Sequence, residues 1–197
     1  MNIIYIFAHS DDFFLWAFGS AMKEVRENDS EILSLVLTEK PLQDIRNLEL
    51  YKDLKVTSKN VCFKDLEKIV LSFNPDKVLT HWAFDSNTEH REVFDKVSSV
   101  ILKQRIMNGK GELYSISTYN SLGLDNKEFS PDRLVDISTY WKLKKKAILN
   151  LENEPTKMWL DMIRKQNEFY GSRIKVKYAE AFRKVNINGV FDNPDSL

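Results

Sequence analysis

The chain has 197 residues and balances 29 Lys plus Arg against 29 Asp plus Glu, so with its three histidines neutral it carries no net charge. That balance excludes the basic field of a nucleic-acid or anionic-membrane binder and favours small or neutral partners. A single cysteine, Cys62, excludes an internal disulfide framework, and no run of about 18 apolar residues offers a membrane span.

The first strand is an unbroken apolar run, Ile3 to Phe7, of the kind a parallel strand buried on both faces requires. His9, Asp11 and Asp12 follow at once. Then Phe14, Ala17, Phe18, Ala21, Met22 and Val25 recur at the spacing of one helical face. The polar cluster therefore lies where a strand's carboxyl end meets a helix's amino end, the crevice in which open α/β sheets bind ligands. An imidazole and two carboxylates within four positions are enough for a pair of metal ligands plus a base. Asp12 also has a plain reading as the N-cap of the helix.

Ile32 to Leu37 is a second buried strand, ending at Thr38 and Glu39. Pro41 opens a helix striped by Leu42, Ile45, Leu48 and Tyr51, on which Arg46 and Glu49 read as a solvated ion pair. Asn60 to Phe63 reads as a short strand, and Leu66, Ile69, Val70 and Phe73 as a helix stopped by Asn74 and Pro75. Lys77 to Thr80 is a strand capped by His81. A second polar run, Asp85 to Arg91, leads into a helix marked by Val93, Val97, Val100 and Ile101. His90 thus stands to its strand and helix as the first cluster stands to its own. Two such loops from one parallel sheet can converge, and together they offer His9, Asp12 and His90 as ligands.

Gly109 and Gly111 break the pattern, Glu112 to Tyr119 alternates like a strand, and Asn120 to Asp136 is a long polar connection suited to a lid or crossover. Helical spacing returns from about Ser138 through Leu151, where the basic run Lys142 to Lys146 reads as a solvated face. A further helix spans roughly Lys157 to Tyr170, with Trp159, Met162, Ile163 and Phe169 as packing residues, and a strand runs from Tyr178 to about Ile187. The alternation predicts one three-layer, Rossmann-like α/β domain with a mostly parallel sheet over residues 1–190, followed by a loose tail, 191–197, containing Pro194. With no basic stretch ahead of the apolar start, the expected location is cytoplasmic.

Several short motifs fall in a familiar order. Ala8-His9-Ser10-Asp11-Asp12-Phe13 stands where one family has Ala-His-Pro-Asp-Asp-Glu after its first strand, and Asp85-Ser86-Asn87-Thr88-Glu89-His90-Arg91 where it has a loop ending in Asp-His. Arg46 to Glu49 matches an Arg-x-x-Glu, and Asp136-Ile137 and Tyr178 to Phe182 match pieces near the family's end. On these residues the chain resembles the LmbE-like, or PIG-L-like, zinc-dependent N-acetylglucosamine deacetylases. The resemblance implies the LmbE-like deacetylase fold, zinc held by His9, Asp12 and His90, Asp11 as general base, and Arg46 in contact with substrate.

Four positions depart from the family pattern. Ser10 in place of Pro costs only turn rigidity, and Phe13 replaces a Glu that is not a ligand. Glu89 is one methylene longer than the family's Asp, which alters support of the ligands. Asn87 stands where some members place a histidine that polarises the carbonyl or protonates the leaving amine, a part His81 can take by position. The implied reaction is removal of an N-acetyl group from an amino sugar or sugar conjugate, with zinc as Lewis acid, Asp11 moving the proton, and His81 or Asn87 steadying the oxyanion. The donor set also suits Fe(II).

Two rival readings remain. A metal-dependent phosphoesterase would want more carboxylates or a glycine-rich phosphate loop, and only six glycines occur. The other is a protein of this fold that has lost turnover and serves in sugar binding or assembly. The expected partners are a small amino-sugar substrate and, by the resemblance, further copies of the chain in a homo-oligomer, with neither nucleic acid nor membrane.

Overall fold

The computed structural model describes residues 1–37, 56–151 and 155–187. The first apolar run forms strand β1 (Asn2–Phe7), buried from Ile3 onward. Successive side chains of a strand point to opposite faces, and here both faces are covered. Ile3, Tyr5 and Phe7 join one apolar cluster, while Ile4, Ile6 and Ala8 join another. A strand with two apolar faces belongs in the middle of a sheet.

Among the described residues that sheet has seven strands: β1, β2 (Glu31–Leu37), β3 (Val56–Val61), β4 (Lys77–Thr80), β5 (Glu112–Ile116), β6 (Arg133–Asp136) and β7 (Ala179–Lys184). Their order is β3-β2-β1-β4-β5-β7-β6, and the first five run parallel. β7 is antiparallel to both β5 and β6. The helices are α1 (Phe18–Asn28), α2 (Phe63–Phe73), α3 (Thr88–Asn108), α4 (Trp141–Leu149) and α5 (Thr156–Arg173). α1, α4 and α5 pack through Phe18, Met22, Trp141, Ile148 and Ile163 on the face that holds Ile3, Tyr5 and Phe7. α2 and α3 cover the other face through Leu66, Val70, Val93, Val97 and Ile101. The result is the expected three-layer α/β arrangement. No helix among the described residues is long and apolar enough to cross a membrane.

The strand order reverses beside β1, with β2 and β3 on one side and β4 and β5 on the other. A reversal of this kind opens a crevice at the carboxyl ends of the two strands that flank it. Ile6 pairs in register with Thr80, so the loops that begin at Ala8 and His81 leave the sheet side by side.

Four details differ from the sequence reading. The helix expected from Phe14 to Val25 opens with a π-helical turn, Phe13–Ala17, and residues 12–22 are all buried, so its apolar face is wider than the spacing suggests. Strand β3 occupies Val56–Val61 and not Asn60 to Phe63, because its register runs from Ile32↔Val56 to Leu37↔Val61; Phe63 instead opens α2. The connection from Asn120 to Asp136 contains β6, a four-residue edge strand paired with β7. The run Lys142 to Lys146 is not solvated throughout, since Lys144 is wholly buried. Its Nζ lies 2.6 Å from Glu180 Oε1 and 3.1 Å from Asn167 Oδ1. Glu180 in turn accepts the Gly19 and Ser20 amides at 2.9 and 2.7 Å, together with the Ser20 hydroxyl, at the start of α1.

Arg46, Glu49 and the helix predicted after Pro41 lie outside the described residues, as does the tail with Pro194.

Candidate metal centre

The chain leaves β1, turns at His9, and enters the π-helical turn at Asp12, whose backbone is α-helical (φ −53°, ψ −42°) and whose side chain makes no cap hydrogen bond. The N-cap reading of Asp12 therefore does not hold. The carboxylate turns back instead: Oδ2 accepts the His9 amide at 2.9 Å, and Oδ1 accepts the Trp16 indole N–H at 3.1 Å, one turn along. Three imidazoles surround it, with His9 Nδ1 and His81 Nε2 at 3.2 and 3.3 Å from Oδ2 and His90 Nε2 at 3.6 Å from Oδ1.

His90 comes from the first turn of α3, which starts where it does because Asn87 Oδ1 accepts the Glu89 amide at 2.9 Å and caps the helix. The buried His90 ring stacks on His81, with centroids 3.7 Å apart and planes 9° from parallel, and is also nearly parallel to Tyr119, 5.8 Å away. Its Nδ1 lies 3.2 Å from Asp85 Oδ2, outside the direction of a good hydrogen bond. Asp85 accepts the Asn87 amide at 2.8 Å and the Thr118 hydroxyl.

These positions fit a small cation. Donors held about 2.0–2.1 Å from a tetrahedral ion lie about 3.3–3.4 Å from one another. His9 Nδ1 is 3.2 Å from Asp12 Oδ2 and 3.3 Å from His90 Nε2, and His90 Nε2 is 3.6 Å from Asp12 Oδ1. A second group, His81, Asp85 and His90, is also compact, but all three of its members are buried. The first group also includes a donor that reaches solvent, His9, whose side chain is 34% exposed.

The electrostatics favour positive charge. Burial would push the Asp12 carboxyl up, but the imidazoles of His81, His9 and His90 hold it well below the usual carboxylate range. Hydrogen bonding to Asp12 raises the His9 imidazole to about 9 against the pull of burial, with help from the charges of Asp12 and Asp11 and from Glu89. Burial pushes His81 down, against the pull of Asp12. Burial likewise opposes the Asp85 carboxylate, and His90, Thr118 and the Asn87 amide together hold its carboxyl low.

Of the residues singled out in the sequence, His9, Asp12, His90 and His81 meet here. Asp11 is half-buried beside them, near enough for its charge to act on His9. Asn87 caps α3, and His81 has no exposed surface with which to face a substrate. Phe13 lies in the core, edge-on to Tyr5 and Phe18 at 5.3 and 5.7 Å. The sequence reading assigned no role to Asp85, Trp16 or Tyr119. Trp16 was recoverable from its i+4 spacing to Asp12, and Asp85 from sharing a loop with His90. Tyr119 carries no local signal, because only the folded path of residues 117–123 brings it to His90.

In sequence, no protein-family model and no curated protein matches the chain. In structure it is similar to the 4-carboxy-2-hydroxymuconate hydratase GalB from Pseudomonas putida, with TM-score 0.77 and 15% identity over 98% of each chain. It is also similar to N,N'-diacetylchitobiose deacetylase from Pyrococcus horikoshii, with TM-score 0.69 and 19% identity over 93% of this chain and 83% of that one. Teicoplanin deacetylase Orf2, in a zinc-inhibited form, matches with TM-score 0.62 and 13% identity over 96% and 100%. The structural neighbours thus include deacetylases of the LmbE/PIG-L family, and the chain has the LmbE-like deacetylase fold.

Proposed function

We propose that the chain is a zinc-dependent hydrolase that removes the N-acetyl group from an amino sugar or sugar conjugate. The observation that carries this reading is the convergence of His9, Asp12 and His90 in the crevice between β1 and β4, with one ligand atom from each within 4.8 Å of the others. Deacetylases of this fold support an amide substrate, and the donor set also admits Fe(II).

His9, Asp12 and His90 would hold the ion. Zinc bound there would supply Lewis acidity, activating water and polarising the acyl carbonyl. Asp11 takes a proton from the water that attacks the acetamide carbon, and returns it to the nitrogen as the C–N bond breaks, so that acetate and a free amine leave. Asn87 spends its Oδ1 on the α3 cap and keeps its amide N–H groups to steady the carbonyl oxygen. His81, wholly buried with Nε2 occupied, backs Asp12 and His90 and does not touch substrate. Arg46 is assigned to the sugar by the sequence resemblance alone.

The test is metal content of protein purified without chelator, with zinc and iron counted per chain, followed by a screen of N-acetylated amino sugars for acetate release. A stoichiometric ion and acetate release that Asp12→Ala abolishes are the expected results. A chain that takes up no zinc overturns the reading. So does a loaded chain that releases no acetate but adds water to an unsaturated acid, the outcome favoured by the hydratase of the same fold.

A further inference from the structure

We propose that Glu89 is the positioning carboxylate of this centre, fixing the His9 ring so that Nδ1 and not Nε2 faces the cation. The inference rests on the metal-centre reading above and adds to it a residue that reaches the ion only through His9.

Imidazole has two nitrogens, and when neutral only one carries a proton, so a hydrogen bond at one nitrogen decides which is left to bind a metal. His9 Nδ1 lies among the other donors, at 3.2 Å from Asp12 Oδ2 and 3.3 Å from His90 Nε2. His9 Nε2 lies 2.5 Å from Glu89 Oε2. An ionised carboxylate only accepts, so the Nε2–H donates to it, and Nδ1 is the nitrogen turned toward Asp12 and His90, the one whose proton a cation would displace.

His9 needs such an anchor more than its fellow ligands do. Asp12 and His90 are wholly buried, and His90 is packed against His81 and Tyr119. The His9 side chain is 34% exposed, and among the described residues Glu89 is the one hydrogen-bond partner of its Nε2. Glu89 is well placed for the task. Adjacent residues on a helix point about 100° apart, so while His90 is buried, the Glu89 side chain next to it stays exposed and meets His9 from the solvent side. The Asn87 cap holds its backbone amide.

The length of the side chain matters. Aspartate at position 89 would be shorter by one carbon–carbon bond, about 1.5 Å, which opens the 2.5 Å contact beyond hydrogen-bond range. The extra methylene at position 89 is therefore what lets the carboxylate reach His9.

The experiment measures Co²⁺ and Zn²⁺ affinity of the full chain by competition with a chromophoric chelator, together with the visible spectrum of the Co²⁺ form, for wild type, E89Q, E89D, E89A and D12A. Losing a partner of this kind costs about 10–100-fold in metal affinity. E89A and E89D should both lose that much and shift the Co²⁺ spectrum, with the thermal midpoint of the metal-free protein unchanged. E89Q, whose amide oxygen can accept the same hydrogen bond, should recover most of the affinity. If D12A abolishes binding while all three Glu89 variants bind like wild type, the positioning role is wrong and the centre stands. If E89Q is as weak as E89A, Glu89 is itself a ligand and the proposal falls. A wild-type chain that binds neither ion overturns both readings.

Discussion

Replacing Lys144 with Met should remove about 3 kcal/mol of stability, a value that follows from the surroundings of Glu180. Both side chains are wholly buried, with Nζ 2.6 Å from Oε1. Removing one partner of a buried pair costs about 3–5 kcal/mol, because the other charge is stranded. The low end applies here because Glu180 keeps the Gly19 and Ser20 amides and the Ser20 hydroxyl, at a helix amino end whose dipole favours negative charge. Methionine fills nearly the same volume, so packing adds little. Urea unfolding of the metal-free protein reads the change. With a slope of about 2 kcal/mol/M the midpoint should fall by about 1.5 M. The double variant K144M/E180Q removes the stranded charge, and should lose less than the sum of the single losses by about 0.5–3 kcal/mol. A K144M loss below about 1 kcal/mol at unchanged slope would refute the reasoning, since surface substitutions cost no more than that.

Asp12→Ala should bind no zinc by mass spectrometry, whereas Asp11→Ala should keep the ion and lose most turnover; a metal-free Asp11→Ala would end the division of roles between them. A Cβ at Gly123 would sit 1.9 Å from the Phe84 carbonyl oxygen, so Gly123→Ala should push residues 117–131 off the Asp85 loop and cost about 1–3 kcal/mol in urea unfolding. Asp76 accepts the Asn2 amide at 2.9 Å and the Lys110 ammonium at 3.1 Å, and the first of these bonds chiefly holds its carboxyl below the usual value. A depressed folded-state value stabilises above about pH 4 and is lost as pH falls further. Asp76→Asn should therefore lower the thermal midpoint at pH 7, with the gap from wild type narrowing as pH falls below about 4, and an equal gap at pH 7 and pH 3 would count against it.

The residues of the candidate site were legible because parallel strands buried on both faces are written as continuous apolar runs, against which His9, Asp12 and His81 stand out beyond the ends of β1 and β4. Lys144 was not legible, and the reason is instructive. It shares a helical face with Trp141, Ala147 and Ile148, all buried, so its inward direction was recoverable from spacing. What the sequence hides is that inwardness is tolerable, because Glu180 arrives from β7, 36 residues further on. β6 failed for a related reason: an edge strand of four residues, none of them fully buried, has too little apolar surface to mark it. Signals that depend on burial within one element survive in the sequence, and those that depend on a partner across the fold do not.

The fold alone does not choose the reaction, since a hydratase and deacetylases share it; the side chains set into it must. Here the histidines carry the argument. The chain has three, and all three meet around Asp12, although His9 and His90 lie 81 residues apart in sequence. Structural histidines have no reason to gather, because neighbouring imidazoles oppose one another's protonation and bury polar nitrogens that need partners. Ala8 occupies one nitrogen of His81, and Glu89 one nitrogen of His9. Of the nitrogens left, His81 Nδ1 and His90 Nδ1 are buried without a hydrogen-bond partner among the described residues, while His9 Nδ1 and His90 Nε2 face the buried Asp12 carboxylate, the set on which the proposed cation site rests.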